Sequence, residues 1–201
     1  MPYPPFYEKI PPIRLYDSLS DFLGAIDKGA VEICYLDCVK LAGHSCPTVA
    51  GAYLMAKLGL ERLYKETLPQ RGSVKVEMKE SKDEGVTGVT CNVISFIVGA
   101  SDSSGFKGIQ GNFSRNGLVS YDVPMDAAVK LTRLDTMQSV SLSYDPSSVS
   151  ADEKMMPLLK KSLQGIASKE EKELFQTLWQ KRVEEILLST DKHHTFITIK
   201  E

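Results

Sequence analysis

Hydrophobic and polar positions along the chain follow patterns that predict both strands and helices. Residues 73–80 alternate strictly between the two classes, which predicts a strand with one face exposed to solvent. Residues 31–41 are rich in β-branched and apolar side chains and predict a more buried strand. Pro47 suits the first position of a helix, and the small and apolar residues 48–58 predict a tightly packed helix after it.

The second half of the chain predicts a block of strands followed by a block of helices. Four strands are predicted, at residues 106–113, 118–123, 128–134 and 140–144, with a tight turn at 115–117. Two capping boxes, Ser150 with Glu153 and Ser168 with Glu171, predict a helical hairpin broken at Gly165. A short strand is predicted at 195–200. This order favours an α+β fold, mainly an antiparallel sheet packed with helices, plus a C-terminal helical hairpin.

The same patterns divide the chain into three parts. Residues 1–17 form a proline-rich N-terminal arm, and residues 18–149 form the α+β core. The core is expected to begin with a short helix that starts at a capping box, Ser18 to Asp21. Residues 150–201 form a helical C-terminal extension that ends in the short strand. With 201 residues and 42% hydrophobic side chains, the chain can bury one substantial core.

The segment from Leu41 to Thr48 contains the most informative chemistry, because it places an imidazole and a thiol two residues apart. Gly43 allows a turn, and Cys46 is predicted to cap the helix that begins at Pro47. The positive end of a helix favours a thiolate, which is both a nucleophile and a metal ligand. His44 and Cys46 would project to the same side of an extended segment and could bind one ion.

Cys91 is the candidate for a third ligand. Thr90 is predicted to cap a short apolar helix that ends at Gly99, which would place Cys91 at a helix N-terminus as well. Two thiolates and one imidazole suit a transition metal, with zinc the first candidate and iron or copper as alternatives. Any single cysteine is more often a small buried side chain, and Cys34 and Cys38 are assigned to packing inside the predicted strand.

The motif Gly43-His44-Ser45-Cys46-Pro47 resembles the signature of the FmdE family, which is named for one component of formylmethanofuran dehydrogenase. The resemblance continues through Cys91, the Gly111–Phe113 segment and the C-terminal helices, and covers roughly residues 18–188. It implies an α+β homodimer with one transition metal per chain in a cleft. By this resemblance the ligands are His44, Cys46 and Cys91.

The chain also departs from that family pattern at several positions. Ala42 stands where the family commonly has histidine, and Thr48 where it has glycine. A further family cysteine is missing near Ala100, and no Cys-x-x-Cys pair is available for the zinc ribbon of some members. The smaller ligand set leaves the identity of the metal open.

Several other polar residues are candidates for the metal's surroundings or for a substrate pocket: Asp37, Tyr53, Lys107 and Asn112. Asp37 could orient His44, as carboxylates often do for metal-bound histidines. Tyr53 is also expected to pack along its helix, and Asn112 beside glycine also fits ordinary turn chemistry. His193 and His194 are expected as a solvated pair, with His194 a possible fourth ligand across a dimer.

Composition excludes some function classes. A net charge of −2 with mixed signs gives no basis for nucleic-acid binding. No segment reaches the length of a membrane span, and the N-terminus has no signal-peptide core, so no membrane partner is expected. Four cysteines without framework spacing favour a reducing compartment, and we expect a cytoplasmic protein.

Three functions fit these expectations, and whether the chain is an enzyme stays open. The first is a metal-dependent redox or one-carbon enzyme, or part of one, related to formylmethanofuran dehydrogenase and acting on a small molecule. The second is a metal-binding accessory, carrier or sensor module for a molybdenum or tungsten enzyme. The third is a metal-free redox protein that uses the Cys46 thiol.

Overall fold

The structure is a computed structural model that describes residues 2–201. The strands are β1 (Ile13–Tyr16), β2 (Ala30–Ile33), β3 (Val74–Met78), β4 (Val119–Ser120), β5 (Val129–Arg133), β6 (Ser139–Tyr144) and β7 (Ile197–Lys200). The helices are α1 (Ser18–Phe22), α2 (Tyr35–Ala42), α3 (Pro47–Tyr64), α4 (Thr87–Val98), α5 (Met155–Leu163), α6 (Lys169–Leu188) and α7 (His193–Phe196). The α+β prediction is therefore confirmed.

The main sheet has five strands in the order β4-β3-β5-β6-β7. All its pairings are antiparallel except the short one between β3 and β4. The register places Val76 beside Leu131 and Leu131 beside Val140, so these apolar side chains lie on one face of the sheet. Strand β7 joins the sheet through β6, which ties the last residues of the C-terminal extension to the core.

Helix α3 lies at the centre of the molecule and packs against the sheet, α4 and α6. Small residues on α3 allow these contacts. A side chain at Gly51 would collide with the ring of Tyr144, and one at Gly59 would meet Leu131. The helix runs six residues beyond the predicted end at residue 58, because apolar positions continue to Tyr64.

The predicted strand over residues 31–41 is wrong beyond residue 33. Strand β2 ends at Ile33, and α2 begins two residues later. Asp37 accepts a hydrogen bond from the N–H of Cys34 at 2.9 Å, and the Cys34 carbonyl in turn accepts from the N–H of Asp37. Cysteine is not among the usual residues at this position, so the start of the helix was not recognised.

Other boundaries also differ from the sequence predictions. Helix α1 is capped by Asp17 rather than by Ser18, and it is followed by a bend and a 3-10 turn at Asp27–Gly29. Helix α4 begins at Thr87, so Thr90 lies inside it. The hairpin of α5 and α6 is present, and its Ser168–Glu171 capping box is confirmed. The proposed box at Ser150 is not, since α5 begins only at Met155.

The predicted strand over residues 106–113 is a loop. Gln110 and Phe113 have positive φ angles of 48° and 61°, and the neighbouring Gly108 and Gly111 also have positive φ angles. These left-handed residues prevent the chain from forming a continuous extended strand. A buried carboxylate holds the end of the loop to the core: Asp17 is 2% exposed and accepts from Arg115 at 2.7 Å.

The N-terminal arm also packs onto the core. Phe6, Tyr7 and Ile10 are buried. The ring of Tyr7 packs edge-on against Tyr35, with centroids 5.1 Å apart, and Tyr35 packs in the same way against Tyr53. This aromatic row connects the arm to α2 and α3, which flank the His44–Cys46 segment.

Candidate functional site at the His44–Cys46 segment

The segment is a short connection between two helices. Helix α2 ends at Ala42, and its C-cap is Gly43, whose left-handed backbone (φ 75°) is readily adopted by glycine. The Gly43 N–H donates to the carbonyl of Val39. Helix α3 begins at Pro47, and Cys46 is its N-cap as predicted. The Cys46 sulfur accepts a hydrogen bond from the N–H of Val49 at 3.5 Å.

Ser45 anchors this segment to the C-terminal helix α6. Its carbonyl accepts from Nε1 of Trp179 at 2.9 Å and from Nε2 of Gln180 at 3.3 Å. Its hydroxyl donates to Oε1 of Gln180 at 3.1 Å and lies 3.0 Å from the hydroxyl of Tyr35. The segment is therefore held by contacts with both α2 and α6.

A cleft of about 800 Å³ opens beside this anchor. The N-terminal arm, α2, α5 and α6 form its walls, and His44 and Ser45 lie at its edge. Its lining is Pro2, Tyr3, Pro4, Tyr7, Leu36, Val39, Lys40, His44, Ser45, Leu159, Phe175, Gln176, Trp179 and Gln180. Most of this surface is apolar, and the volume suits a small molecule.

His44 is exposed, and only one of its ring nitrogens is engaged. Nδ1 lies 2.9 Å from the carbonyl oxygen of Ala42. Since a carbonyl can only accept, this contact assigns the ring proton to Nδ1 and leaves the Nε2 lone pair available. Histidines that bind metals commonly have this arrangement, with the second nitrogen donating to a backbone carbonyl.

Cys91 lies in different surroundings. It is 1% exposed, and its sulfur is 3.6 Å from the hydroxyl of Ser95. Burial raises the pKa of the Cys91 thiol, although hydrogen bonding to Tyr121 and Ser95 opposes the shift. Ser95 and Tyr121 line a separate cavity of about 290 Å³ that also includes Lys82.

The prediction that Cys91 lies at a helix N-terminus is wrong. Four residues of α4 precede it, so the free N–H groups at the start of that helix are a turn away. A buried thiol within a helix and beside two hydroxyls is the ordinary environment of a packing cysteine.

The described residues do not complete a metal site within one chain. Across residues 2–201, no three side chains of histidine, cysteine, aspartate or glutamate come close enough to hold an ion. Structural zinc sites have four protein ligands, and catalytic zinc sites usually have three. His44 has the form of a ligand, but His44, Cys46 and Cys91 do not meet as a complete set in a single chain.

The other candidate residues have structural roles or lie outside the lining of the cleft. Asp37 caps α2 through its bond to Cys34. Tyr53 is buried and donates to the carbonyls of Pro11 and Ile33, so the packing interpretation fits it better. Lys107 and Asn112 are exposed in the 101–118 loop and do not line the cleft.

The two C-terminal histidines are not a solvated pair. His193 is 8% exposed and packs edge-on against Phe196 in α7, with ring centroids 5.5 Å apart. His194 is exposed and lines a different cavity, which includes Lys57 and Glu61. In α7 the pair is helical rather than extended, so one ring is buried while the other faces solvent.

The comparison with protein families gives a clear result. The family model described as "FmdE, Molybdenum formylmethanofuran dehydrogenase operon" matches residues 41–196, more than three quarters of the chain. The chain belongs to the FmdE family. The match begins at Leu41, immediately before the His44–Cys46 segment, and it continues through α6 and its cleft residues.

No curated protein matches this FmdE-family chain. The family description refers to an operon, so it does not assign a reaction to the protein. Within residues 2–201, no helix is both long enough and apolar enough to cross a membrane.

Sequence analysis missed the residues that build the cleft. No sequence pattern singles out Trp179, Gln180 or Lys40 as a functional residue. The available signal was the single tryptophan of the chain next to a glutamine on a half-polar helix. Such a pair often uses its polar groups at a specific tertiary contact.

Proposed function

We propose that this FmdE-family protein binds one transition-metal ion per chain at the His44–Cys46 segment, with zinc the first candidate and iron the second. The observation that supports this best is the contact between Nδ1 of His44 and the Ala42 carbonyl, which leaves Nε2 free on an exposed ring. Cys46 lies two residues away at the start of α3, where peptide N–H groups favour a negatively charged ligand.

One chain supplies an incomplete ligand set, so the proposal requires further donors. Water, a small molecule in the cleft, or a second copy of the chain would supply them, and we propose a homodimer. His194 is exposed and is the candidate for a ligand donated across such a dimer. Cys91 is buried within α4, so this helix would have to open before the Cys91 sulfur could reach an ion at the His44–Cys46 segment.

The open cleft favours a role in small-molecule chemistry over a closed carrier site. A metal of this class would supply a Lewis acid that polarises a small substrate or activates water, in a reaction related to those of formylmethanofuran dehydrogenase. The side chains around it would hold the substrate: the walls of the cleft exclude water, and the anchored Ser45 backbone fixes the position of His44. The accessory or sensor role predicts metal binding without a response to small molecules.

The metal-free redox thiol is the second candidate. The hydrogen bond from Val49 N–H to the Cys46 sulfur supports it, because this partner stabilises a negatively charged sulfur in the absence of metal. All four cysteines are free, which agrees with the cytoplasmic location that we propose.

Elemental analysis of untagged protein, purified without added metal, tests the metal proposal. The wild type is compared with His44→Ala, Cys46→Ser and Cys91→Ser, and with Cys34→Ser as a matched control at an exposed cysteine. We expect near-stoichiometric metal in the wild type and in the control, and loss of metal in His44→Ala and Cys46→Ser. Retention in Cys91→Ser would limit the site to the His44–Cys46 segment. A wild type that stays metal-free after reconstitution with zinc or ferrous iron would overturn the proposal.

A further inference from the structure

We propose that the cleft beside His44 is a binding site for a small organic anion with an apolar body, such as an aryl-substituted carboxylic acid. The cleft volume of about 800 Å³ lies within the usual range for small-molecule sites. The proposal goes beyond metal binding, because the side chains of the cleft would recognise this ligand without a metal ion.

Apolar side chains on facing elements would hold the body of the ligand. Leu36 and Val39 of α2 line one wall, and Phe175 and Trp179 of α6 line another. The two aromatic rings lie 5.6 Å apart at an interplanar angle of 49°, so together they form a continuous aromatic surface. Such a surface binds flat or branched apolar groups by burial and by ring contacts.

The charges around the cleft favour an anion. Its lining includes one lysine, Lys40, and no aspartate or glutamate among the residues that the structure describes. Lys40 is exposed and has no salt-bridge partner within residues 2–201. Asp37, one turn earlier on α2, uses an oxygen to accept from the Cys34 N–H.

Two polar side chains of the wall, Trp179 and Gln180, are already engaged, and Lys40 is the charged group that would recognise the acid. The indole N–H of Trp179 and the amide of Gln180 are both bonded to Ser45. A ligand that competed for these groups would have to break the anchor of the His44–Cys46 segment. An anion at the Lys40 side would leave the anchor intact.

The single tryptophan of the chain lies in the cleft and provides a direct readout. Chelator-treated protein is titrated with 3-phenylpropanoate while Trp179 fluorescence is recorded. The neutral 3-phenylpropanamide and the short propanoate serve as comparison ligands. We expect a saturable change with 3-phenylpropanoate, and affinity at least about fivefold weaker for the other two.

Variants separate recognition of the carboxylate from recognition of the apolar body of the ligand. Lys40→Met is expected to weaken 3-phenylpropanoate about fivefold while leaving the amide unchanged. Phe175→Ala is expected to weaken the acid and the amide together. Lys181→Met is the control, since Lys181 is also exposed and without an ion pair but lies on the opposite side of α6 from the cleft residues. Circular dichroism melts confirm that each variant folds.

Three results would overturn this proposal: no saturable Trp179 response, equal affinity for acid and amide, or no effect of Lys40→Met. A dimer that buries Trp179 and excludes the ligand would also overturn it, and sedimentation measured with and without 3-phenylpropanoate detects that case. Because the titration is made without metal, its failure is independent of the metal analysis above.

Discussion

The Asp17 carboxylate accepts a 2.7 Å hydrogen bond from Nη2 of Arg115, which lies 98 residues later in the chain. Its other oxygen accepts from Nη1 of Arg71 at 3.0 Å. Arg71 also donates to the carbonyls of Phe96 and Ile97, at the end of α4. One buried acid therefore connects the start of α1, the segment before β3, the end of α4 and the 101–118 loop.

Replacing Asp17 should destabilise the fold strongly. Asp17→Asn removes the negative charge and leaves two guanidinium groups facing a neutral amide, which for a buried pair costs about 3–5 kcal/mol. Urea unfolding of the variant measures this loss. Asp126→Asn, at an exposed position with no assigned bond, should change the free energy of unfolding by less than about 0.5 kcal/mol. Equal small effects for both variants would show that the network contributes little.

The same network predicts how stability depends on pH. Burial by itself raises the pKa of Asp17, but the N–H of Ser20 and the two arginines outweigh it and hold that pKa below its ordinary value. The folded state therefore binds this proton less readily than the unfolded chain does. The resulting stability is present above about pH 4, and it is lost as the pH falls through the folded-state pKa.

Unfolding measured across acidic pH checks this dependence. Wild type should lose more stability below about pH 4 than Asp17→Asn, whose amide does not titrate. Parallel pH profiles for the two proteins would assign the acid sensitivity to other carboxylates.

The contact between α3 and β6 requires glycine at position 51, because a larger residue would collide with Tyr144. A methyl group there would overlap the ring of Tyr144, whose hydroxyl donates to the carbonyl of Pro47 at 2.9 Å. We therefore expect Gly51→Ala to destabilise the protein by about 1–3 kcal/mol. In an ordinary helix interior the same change stabilises by about 0.5–1 kcal/mol, so the sign of the change is decisive. In a Tyr144→Ala background, the cost of Gly51→Ala should largely disappear.

Thiol reactivity distinguishes the metal-free redox interpretation from the others. Cys34 is exposed, whereas Cys38, Cys46 and Cys91 are 0%, 9% and 1% exposed. Burial raises the pKa of Cys38 to about 12, so its thiol stays protonated near neutral pH and reacts slowly. With a disulfide reagent, native protein should show one fast thiol, which is lost in Cys34→Ser, and all four should react after denaturation. A fast phase that survives Cys34→Ser and disappears in Cys46→Ser would favour the redox thiol.

The sequence predicted correctly the elements that have a clear hydrophobic period and clear boundary residues. Pro47 after a potential cap residue fixed the start of α3, and strict alternation located β3 at Val74–Met78. Strands β5 and β6 were located within one residue at each end. These elements combine a clear period with clear boundary residues, so local and tertiary preferences agree.

The sequence did not reveal features that depend on unusual caps or distant contacts. Helix α2 has a cysteine, Cys34, as its N-cap, and it lies within a run of β-branched and apolar residues that is typical of a strand. The bond from Trp179 to Ser45 joins residues 134 positions apart, and no local pattern indicates which carbonyl an indole will find. The spacing of His44 and Cys46 predicted two ligands of one ion, whereas the residue proposed as the third ligand, Cys91, is buried within α4.

The central claim is that His44 and Cys46 bind one metal ion, and the absorption spectrum of the cobalt(II)-loaded protein tests it most directly. A cobalt–thiolate bond gives an intense charge-transfer band in the near ultraviolet, so the spectrum reports sulfur ligation itself. We predict this band in the wild type and in Cys34→Ser, its loss in Cys46→Ser, and weakened cobalt binding in His44→Ala. A band that is unchanged in Cys46→Ser, or absent from a wild type that binds cobalt, would contradict the account.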